Sequence, residues 1–412
     1  MSRPKILALV LAGGAGGRME VLTTTRAKPA LPYAGVYRLI DISLSNIRNS
    51  GIADAWIIVQ YEAQSIVSAV ANGRPWDLDR THGGLRIVPP QQEGEGAEGV
   101  WHEGNADAIY QNRELIRAID PDVLLVLSAD HIYKLDYNEV IDQHLASGAD
   151  ATLVTTEVPI DQASNHGTVT VGKGGRVTGF AYTPETPESN VVTTEIFAYT
   201  PVVVIETLEK LSSQNSSEDT SGSGLEDFGH DLLPELVRTG TVRDFRLPGY
   251  WKDVGRPETY FESHMQLLED HPDLDLDDPA WPIFTLNPQR MPARIHGTAR
   301  IDHSLVSPGC DIAGKVERSV LSPGVVVERG ATVRDAIILQ DVTVRTGATV
   351  QFAIVDGGAV IDEGAEVGQK PQDALPTTEE LVLIGANATI AREATIKRGQ
   401  RIEPDAHVPR AK

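Results

Sequence analysis

The feature that most constrains how this chain can fold is a repeat near its end. Gly330-Ala331-Thr332-Val333 returns as Gly347-Ala348-Thr349-Val350 and again as Gly364-Ala365-Glu366-Val367, seventeen residues on each time. Ser304-Leu305-Val306-Ser307-Pro308-Gly309 returns as Ser319-Val320-Leu321-Ser322-Pro323-Gly324, and Ile390, Ile396 and Ile402 stand six apart. One coil of a triangular parallel β-helix takes about eighteen residues in three six-residue sides, with aliphatics stacking inward. The repeat therefore predicts a β-helix over 293–412, with Gly368–Glu380 as a loop that interrupts it.

The rest of the chain has a different pattern. Apolar runs at Ile6–Leu11, Ala55–Val59, Val123–Leu127 and Ala151–Val158 alternate with amphipathic segments such as Tyr37–Asn49 and Ala106–Ala118. Such alternation reads as an α/β layer with a mainly parallel sheet over residues 1–266. Leu267–Pro292, rich in Asp and Pro, reads as a linker, and Ser212–Gly224 as a surface loop.

Composition removes several function classes. With 412 residues the chain can build two or three cored domains. A formal charge of −22 argues against a nucleic-acid partner, which needs a basic face. No apolar run reaches the length of a membrane span, and the seven apolar residues after Met1-Ser2-Arg3-Pro4-Lys5 lead into glycines as a buried strand would, not as a signal peptide. The single cysteine, Cys310, excludes an internal disulfide and fits a cytoplasmic protein. With no Cys or His cluster, a structural zinc site is not expected.

The first strand ends in Ala12-Gly13-Gly14-Ala15-Gly16-Gly17-Arg18, and Arg26-Ala27-Lys28-Pro29 follows. A strand feeding a loop without side chains lets backbone N–H groups approach a phosphate chain, and nearby Arg and Lys supply positive charge. An ordinary tight βα turn would look similar. The spacing fits neither the Walker loop nor the dinucleotide fingerprint. In open α/β sheets ligands sit at the carboxyl ends of strands, where this loop falls. Asp130 ends another apolar strand, and Asp253 stands in Gly249-Tyr250-Trp251-Lys252-Asp253-Val254-Gly255. Each could be a turn or cap residue. Beside a phosphate loop, both are candidate oxygen ligands for Mg²⁺.

These residues carry a resemblance. Leu11-Ala12-Gly13-Gly14-x-Gly16-x-Arg18, Arg26-Ala27-Lys28-Pro29-Ala30 and Tyr37-Arg38-Leu39-Ile40-Asp41 resemble the glucose-1-phosphate adenylyltransferases. So do Gln60-Tyr61, Trp101, Ala106-Asp107-Ala108-Ile109-Tyr110, Asp130-His131-Ile132-Tyr133, Asp227-Phe228-Gly229 and Tyr250-Trp251-x-Asp253. The resemblance implies a Rossmann-like nucleotidyltransferase domain followed by a left-handed parallel β-helix. It implies transfer of a nucleotidyl group from ATP to a sugar 1-phosphate, giving ADP-sugar and pyrophosphate for glycogen-type glucan synthesis. Arg18 and Lys28 would hold the triphosphate, with Asp130 among the catalytic groups. Ala12, Gly13, Gly14, Gly16, Gln60 and Asp107 would form the nucleotide side. Thr183, Thr193, Asp227, Phe228 and Trp251 would form the sugar-phosphate side, and Asp130 and Asp253 would hold Mg²⁺. A homotetramer is implied too. Arg38 is either a further phosphate contact or a partner of Asp41.

The match weakens on the acceptor side. The family's Phe-x-Glu-Lys-Pro reads Phe180-Ala181-Tyr182-Thr183-Pro184, without the lysine that grips the acceptor phosphate or the glutamate that holds sugar hydroxyls. Its Ser-Met-Gly-x-Tyr reads Thr193-Thr194-Glu195-Ile196-Phe197. Ala15 stands where a charged residue is usual, Asn105 where Thr or Ser is usual, and Thr25 where a lysine precedes Arg-Ala-Lys-Pro. Lys252 or His230 is a candidate for the missing charge. Three readings follow: an adenylyltransferase with a rebuilt acceptor site, a relative with another sugar or NTP, or a weakly catalytic nucleotide-binding regulatory paralogue. Retention of Arg18, Lys28, Asp130 and Asp253 favours activity. His296 and His303 leave an acyltransferase site on the β-helix as an alternative to subunit contacts, the preferred use. Arg392, Lys397, Arg398 and Arg401 read as solvated coil corners in preference to an anion site.

Overall fold

The apolar run Ile6–Ala12 forms β1, at the centre of a sheet. A computed structural model of the chain describes residues 3–14, 16–90, 102–215, 223–286, 289–372 and 375–410. Ala15, Trp101 and residues 216–222 of the expected surface loop lie outside the described residues. By contacts the chain divides into two compact units. The first comprises Met1–Gly14, Ile42–Ala63 and Val70–Trp251, and the second Ala15–Asp41, Gln64–Ala69 and Lys252–Lys412.

The first unit is built on nine strands: β1, β2 (Asp54–Val59), β3 (Gly84–Val88), β4 (Val123–Ser128), β5 (Ala151–Glu157), β6 (Gly167–Val171), β7 (Val177–Tyr182), β8 (Val191–Tyr199) and β9 (Val242–Arg246). The spatial order is β7-β6-β8-β4-β1-β2-β3, with β5 paired to β8 and β9 to β5. The β4-β1-β2-β3 core is parallel, and Leu9 lies between Trp56 and Val126. Residues buried on both faces explain why these strands are continuous apolar runs. The segment read as amphipathic around Ala106 is two helices, Asn105–Gln111 and Arg113–Ile119, broken at Asn112. Leu7, Leu9, Ile58, Ile109, Leu124 and Phe197 share one core. Because the core strands run the same way, their carboxyl ends bring Gly13, Gln60 and Asp130 to one edge.

In the second unit the repeat becomes a parallel β-helix. β10 (Lys315–Leu321), β11 (Thr332–Ile338) and β12 (Thr349–Val355) stack in register, so Val316, Val333 and Val350 form a column that continues to Val367 and Ile396. A second column runs Ile312, Val327, Val344, Ile361, Ile390 and Val408, and a third Leu321, Ile338, Val355, Ile384 and Ile402. The seventeen-residue spacing is the distance along the chain between stacked neighbours. Gly330, Gly347 and Gly364 turn the corners with φ of 79°, 73° and 67°, in the left-handed region where a Cβ is penalised. β12 pairs with both Glu366–Val367 and Val382–Ile384, so the stack continues on either side of the residues between them. His296 and His303 pair with Asp311 and Asp302 at 2.5 and 2.9 Å on the coil surface. Among the described residues no helix is long and apolar enough to cross a membrane.

Candidate active site

In the first unit, β1 runs out at Ala12 into Gly13 and Gly14. A Cβ on Gly13 would lie 3.4 Å from that of Gln60, just past β2, whereas one on Gly14 would meet nothing within 4 Å. Gln60 Nε2 donates to the His102 carbonyl at 3.2 Å, which fixes its amide beside the glycine. Asp130 follows β4. The Ser128 hydroxyl donates to Asp130 Oδ1 at 2.5 Å, and His131 Nε2 stands 3.8 Å from the same oxygen. His131 Nδ1 is 3.0 Å from the Thr194 carbonyl, which only accepts, so Nδ1 carries a proton. The Trp251 ring is edge-on to both His131 and His166, with centroids 5.3 Å apart in each case. Its Nε1 is buried without a hydrogen-bond partner among the described residues, an open donor for an acceptor group.

Several expected contact residues have partners within the scaffold. Asp107 is buried, with Oδ2 accepting from Glu103 N (3.0 Å) and Oδ1 from the Ser223 hydroxyl (2.5 Å) and Gln111 Nε2 (3.3 Å). It thus ties two loops. Phe228 is 6% exposed and packs edge-on to Phe197 at 5.5 Å, so it is a core residue and not a sugar contact. Asp227 Oδ1 accepts from Asn105 N at 3.2 Å, and Oδ2 from the Tyr182 hydroxyl at 3.3 Å.

The second unit holds the cations. Gly16 has φ 64°, and its carbonyl accepts from Met19 N (2.8 Å) and the Thr23 hydroxyl (2.9 Å), closing the turn that presents exposed Arg18. A Cβ on Gly16 would lie 3.2 Å from that of Lys28. Lys28 is buried, with Nζ 3.7 Å from Asp253 Oδ1. A Cβ on Gly255 would come within 2.9 Å of Asp253 Oδ1 and 3.4 Å of Arg18 Nη2. The bare Gly255 thus leaves room between a carboxylate and a guanidinium, and the Lys28 ammonium lies against the same carboxylate. Hard oxygen donors beside cations suited to phosphate fit a divalent ion that shares its ligands with phosphate and water. Among the described residues no group of three or more His, Cys, Asp or Glu gathers as a cage, and a phosphate-sharing ion needs only one or two carboxylates.

The comparisons with known proteins bear on this arrangement. The nucleotidyl transferase family matches residues 7–270, and the GlmU-like C-terminal hexapeptide family matches residues 291–379. Glucose-1-phosphate adenylyltransferase from Clostridium beijerinckii is 39% identical over 82% of this chain and 85% of its own length. The enzymes of the same name from Geobacillus stearothermophilus and Bacillus cytotoxicus are 41% and 38% identical, over 81% and 82% of this chain and 84% and 88% of theirs. The chain belongs to the glucose-1-phosphate adenylyltransferases.

As a member of that family it is a nucleotidyltransferase, of a kind that generally uses a divalent metal. Its departures have definite places. Tyr182 ends β7 and packs edge-on to His230 at 4.7 Å. A Cβ on Gly229 would lie 2.0 Å from Tyr182 Cδ2, so the ring needs a glycine beneath it. Thr183, with φ 40°, donates its N–H to the His166 carbonyl at 3.2 Å. Glu195 sits on a bulge in β8 with φ 57°. That backbone favours glycine and costs a glutamate roughly 1 kcal/mol. Lys252, a candidate for the missing charge, is neutralised by Glu262 Oε2 at 2.7 Å. Arg38 N donates to Asp41 Oδ2 at 2.8 Å, and burial pushes the Asp41 carboxyl up to about 7.

His264 escaped the sequence reading, because nothing local marks it. It is fully buried, with Nδ1 donating to the Tyr260 carbonyl at 2.8 Å and Nε2 accepting from Ala34 N at 3.0 Å. That pattern requires the neutral ring, and burial lowers its pKa to about 4. It fixes the turn at Ala34, six residues beyond Lys28.

Proposed function

We propose that this chain joins ATP to glucose 1-phosphate, giving ADP-glucose and pyrophosphate, in the presence of Mg²⁺. The observation that carries the reading is that Arg18 and Asp253 flank the bare Gly255, with Lys28 Nζ 3.7 Å from Asp253 Oδ1, in a chain whose relatives carry that enzyme name.

The chemistry asks little covalent work of the protein. A phosphate oxygen of the sugar phosphate is already an anionic nucleophile. It attacks the α-phosphorus of ATP, and the bond from that phosphorus to the bridging oxygen breaks, releasing pyrophosphate. Positioning two anions and stabilising the charge that moves to the leaving group supply the rate. Gly13 and Gly14 leave the end of β1 open to the nucleotide, and Gln60 is set to read the base. Arg18 and Lys28 grip the triphosphate. Asp130 and Asp253 are the carboxylates that would hold Mg²⁺, which would supply charge screening on the phosphates when bound. On the acceptor side, Trp251 Nε1, Thr193 and Asp227 are the groups of the first unit assigned to the sugar phosphate.

The departures at Tyr182, Thr183 and Glu195 favour one second reading, an acceptor sugar other than glucose. A cytoplasmic homotetramer belongs to the same reading, as the resemblance implies. Pyrophosphate release from each NTP against a panel of sugar 1-phosphates tests the whole reading. Release with ATP and glucose 1-phosphate supports it, release only with another sugar supports the second reading, and no release with any pair removes both.

A further inference from the structure

Two ion pairs tie the cation-bearing segment of the second unit to the β-helix. Arg401, on the strand Arg401–Ile402, forks onto Glu20: Nε to Oε2 at 2.5 Å and Nη2 to Oε1 at 3.0 Å. Its other N–H groups reach the carbonyls of Leu381 (2.8 Å), Gly399 (2.8 Å) and Thr378 (2.7 Å). All five guanidinium donors are therefore engaged within the protein. Arg401 is thus neither a solvated coil corner, as the sequence suggested, nor a cation available to an outside anion. Arg26 makes the second tie, with Nη2 at 2.6 and 2.5 Å from the two oxygens of Asp356. The side chains of this pair are 12% and 1% exposed, and Asp356 Oδ1 also accepts from Gly357 N at 2.6 Å.

The placement of these ties matters. Glu20 is two residues after Arg18, and Arg26 two residues before Lys28. Glu20 has φ 52° and ψ −131°, a conformation a glutamate adopts only when its surroundings hold it. The anchors belong to coils whose inward side chains are buried in a single core. Exposed ion pairs contribute little, but Arg401 meets Glu20 in fork geometry and Arg26 sets one nitrogen against both oxygens of the buried Asp356, which ties each pair to one geometry.

We infer that Arg401 and Asp356 are positioning residues, through which the β-helix holds Arg18 and Lys28 in place for the triphosphate. This rests on the reading of Arg18 and Lys28 as triphosphate ligands. The test uses the full-length chain and the variants Arg401→Ala, Glu20→Ala, Asp356→Asn and the Arg401→Ala/Glu20→Ala double variant. Arg392→Ala, which breaks an exposed coil-corner pair with Glu363, is the control. The expected result for Arg401→Ala and Asp356→Asn is a fall of about tenfold or more in kcat/KM for ATP, with KM for glucose 1-phosphate within about twofold of wild type, measured well below the melting midpoint. The double variant should be no worse than Arg401→Ala alone, as expected when both changes remove one interaction. Unchanged ATP parameters would overturn the inference, and so would equal losses for both substrates that add in the double variant. If the wild type releases no pyrophosphate from any pair, the functional reading has failed instead. The clamp is then read from the rise in melting midpoint on adding ATP: smaller in Arg401→Ala than in wild type if the inference holds, and equal if it does not.

Discussion

Lys28 Nζ and Asp253 Oδ1 stand 3.7 Å apart, with the lysine side chain 8% exposed and the aspartate 21%. Each holds the other's charge in a partly dry setting, and on the proposed reading a triphosphate would compete for the ammonium. Lys28→Met is expected to lower kcat/KM for ATP by about ten- to a hundredfold, the size of a lost charge-assisted contact. Lys28→Arg should not restore it, because Gly16 closes over the lysine stem. Steady-state pyrophosphate release measures both.

Asp130→Asn is expected to abolish turnover while the melting midpoint stays near wild type, since the side chain is a quarter exposed and its Ser128 contact can be kept by an amide. Asp253→Asn should raise the Mg²⁺ concentration needed for half-maximal rate. Turnover by Asp130→Asn at the wild-type rate would remove that residue from the metal assignment.

Glu195→Gly relieves a left-handed backbone that glycine adopts freely. The melting midpoint is expected to rise by about 2 °C, read by differential scanning calorimetry. Gly229→Ala is expected to do the opposite, and to change KM for the sugar phosphate more than KM for ATP, because the new methyl displaces the Tyr182 ring. Thr183→Lys, which restores the lysine of the Phe-x-Glu-Lys-Pro pattern that the resemblance implies, should lower KM for glucose 1-phosphate by about tenfold.

His264 and His144 are both neutral in the fold, with pKa values lowered to about 4 by burial. Above pH 6.5 the ring is neutral in folded and unfolded chains alike and adds no pH dependence. As pH falls from about 6.5 to about 4 the unfolded chain takes up the protons first, so stability declines across that window. The melting midpoint of wild type should fall accordingly. His264→Gln, which keeps a donor and an acceptor without a titrating ring, should fall less steeply.

The two kinds of information separate along physical lines. The β-helix was legible because its period is local: stacked neighbours lie seventeen residues apart, and each coil repeats the same inward aliphatic and left-handed glycine. The glycines after β1 and the place of Asp130 after β4 were legible because a strand end and its following loop are contiguous in sequence. Phe228 and Asp107 misled for the same reason. Their motif is contiguous too, but only packing shows that one fills the core and the other ties loops. The sequence by itself thus determined the α/β layer, the coil stack and the residue types fit for a polyphosphate. The tertiary structure alone decided which charges are spent inside the protein. Arg26 finds Asp356 across 330 residues and Arg401 finds Glu20 across 381. Any arginine can pair with any acid, so no periodicity records the choice; it is set by which coil corner lies beside which turn.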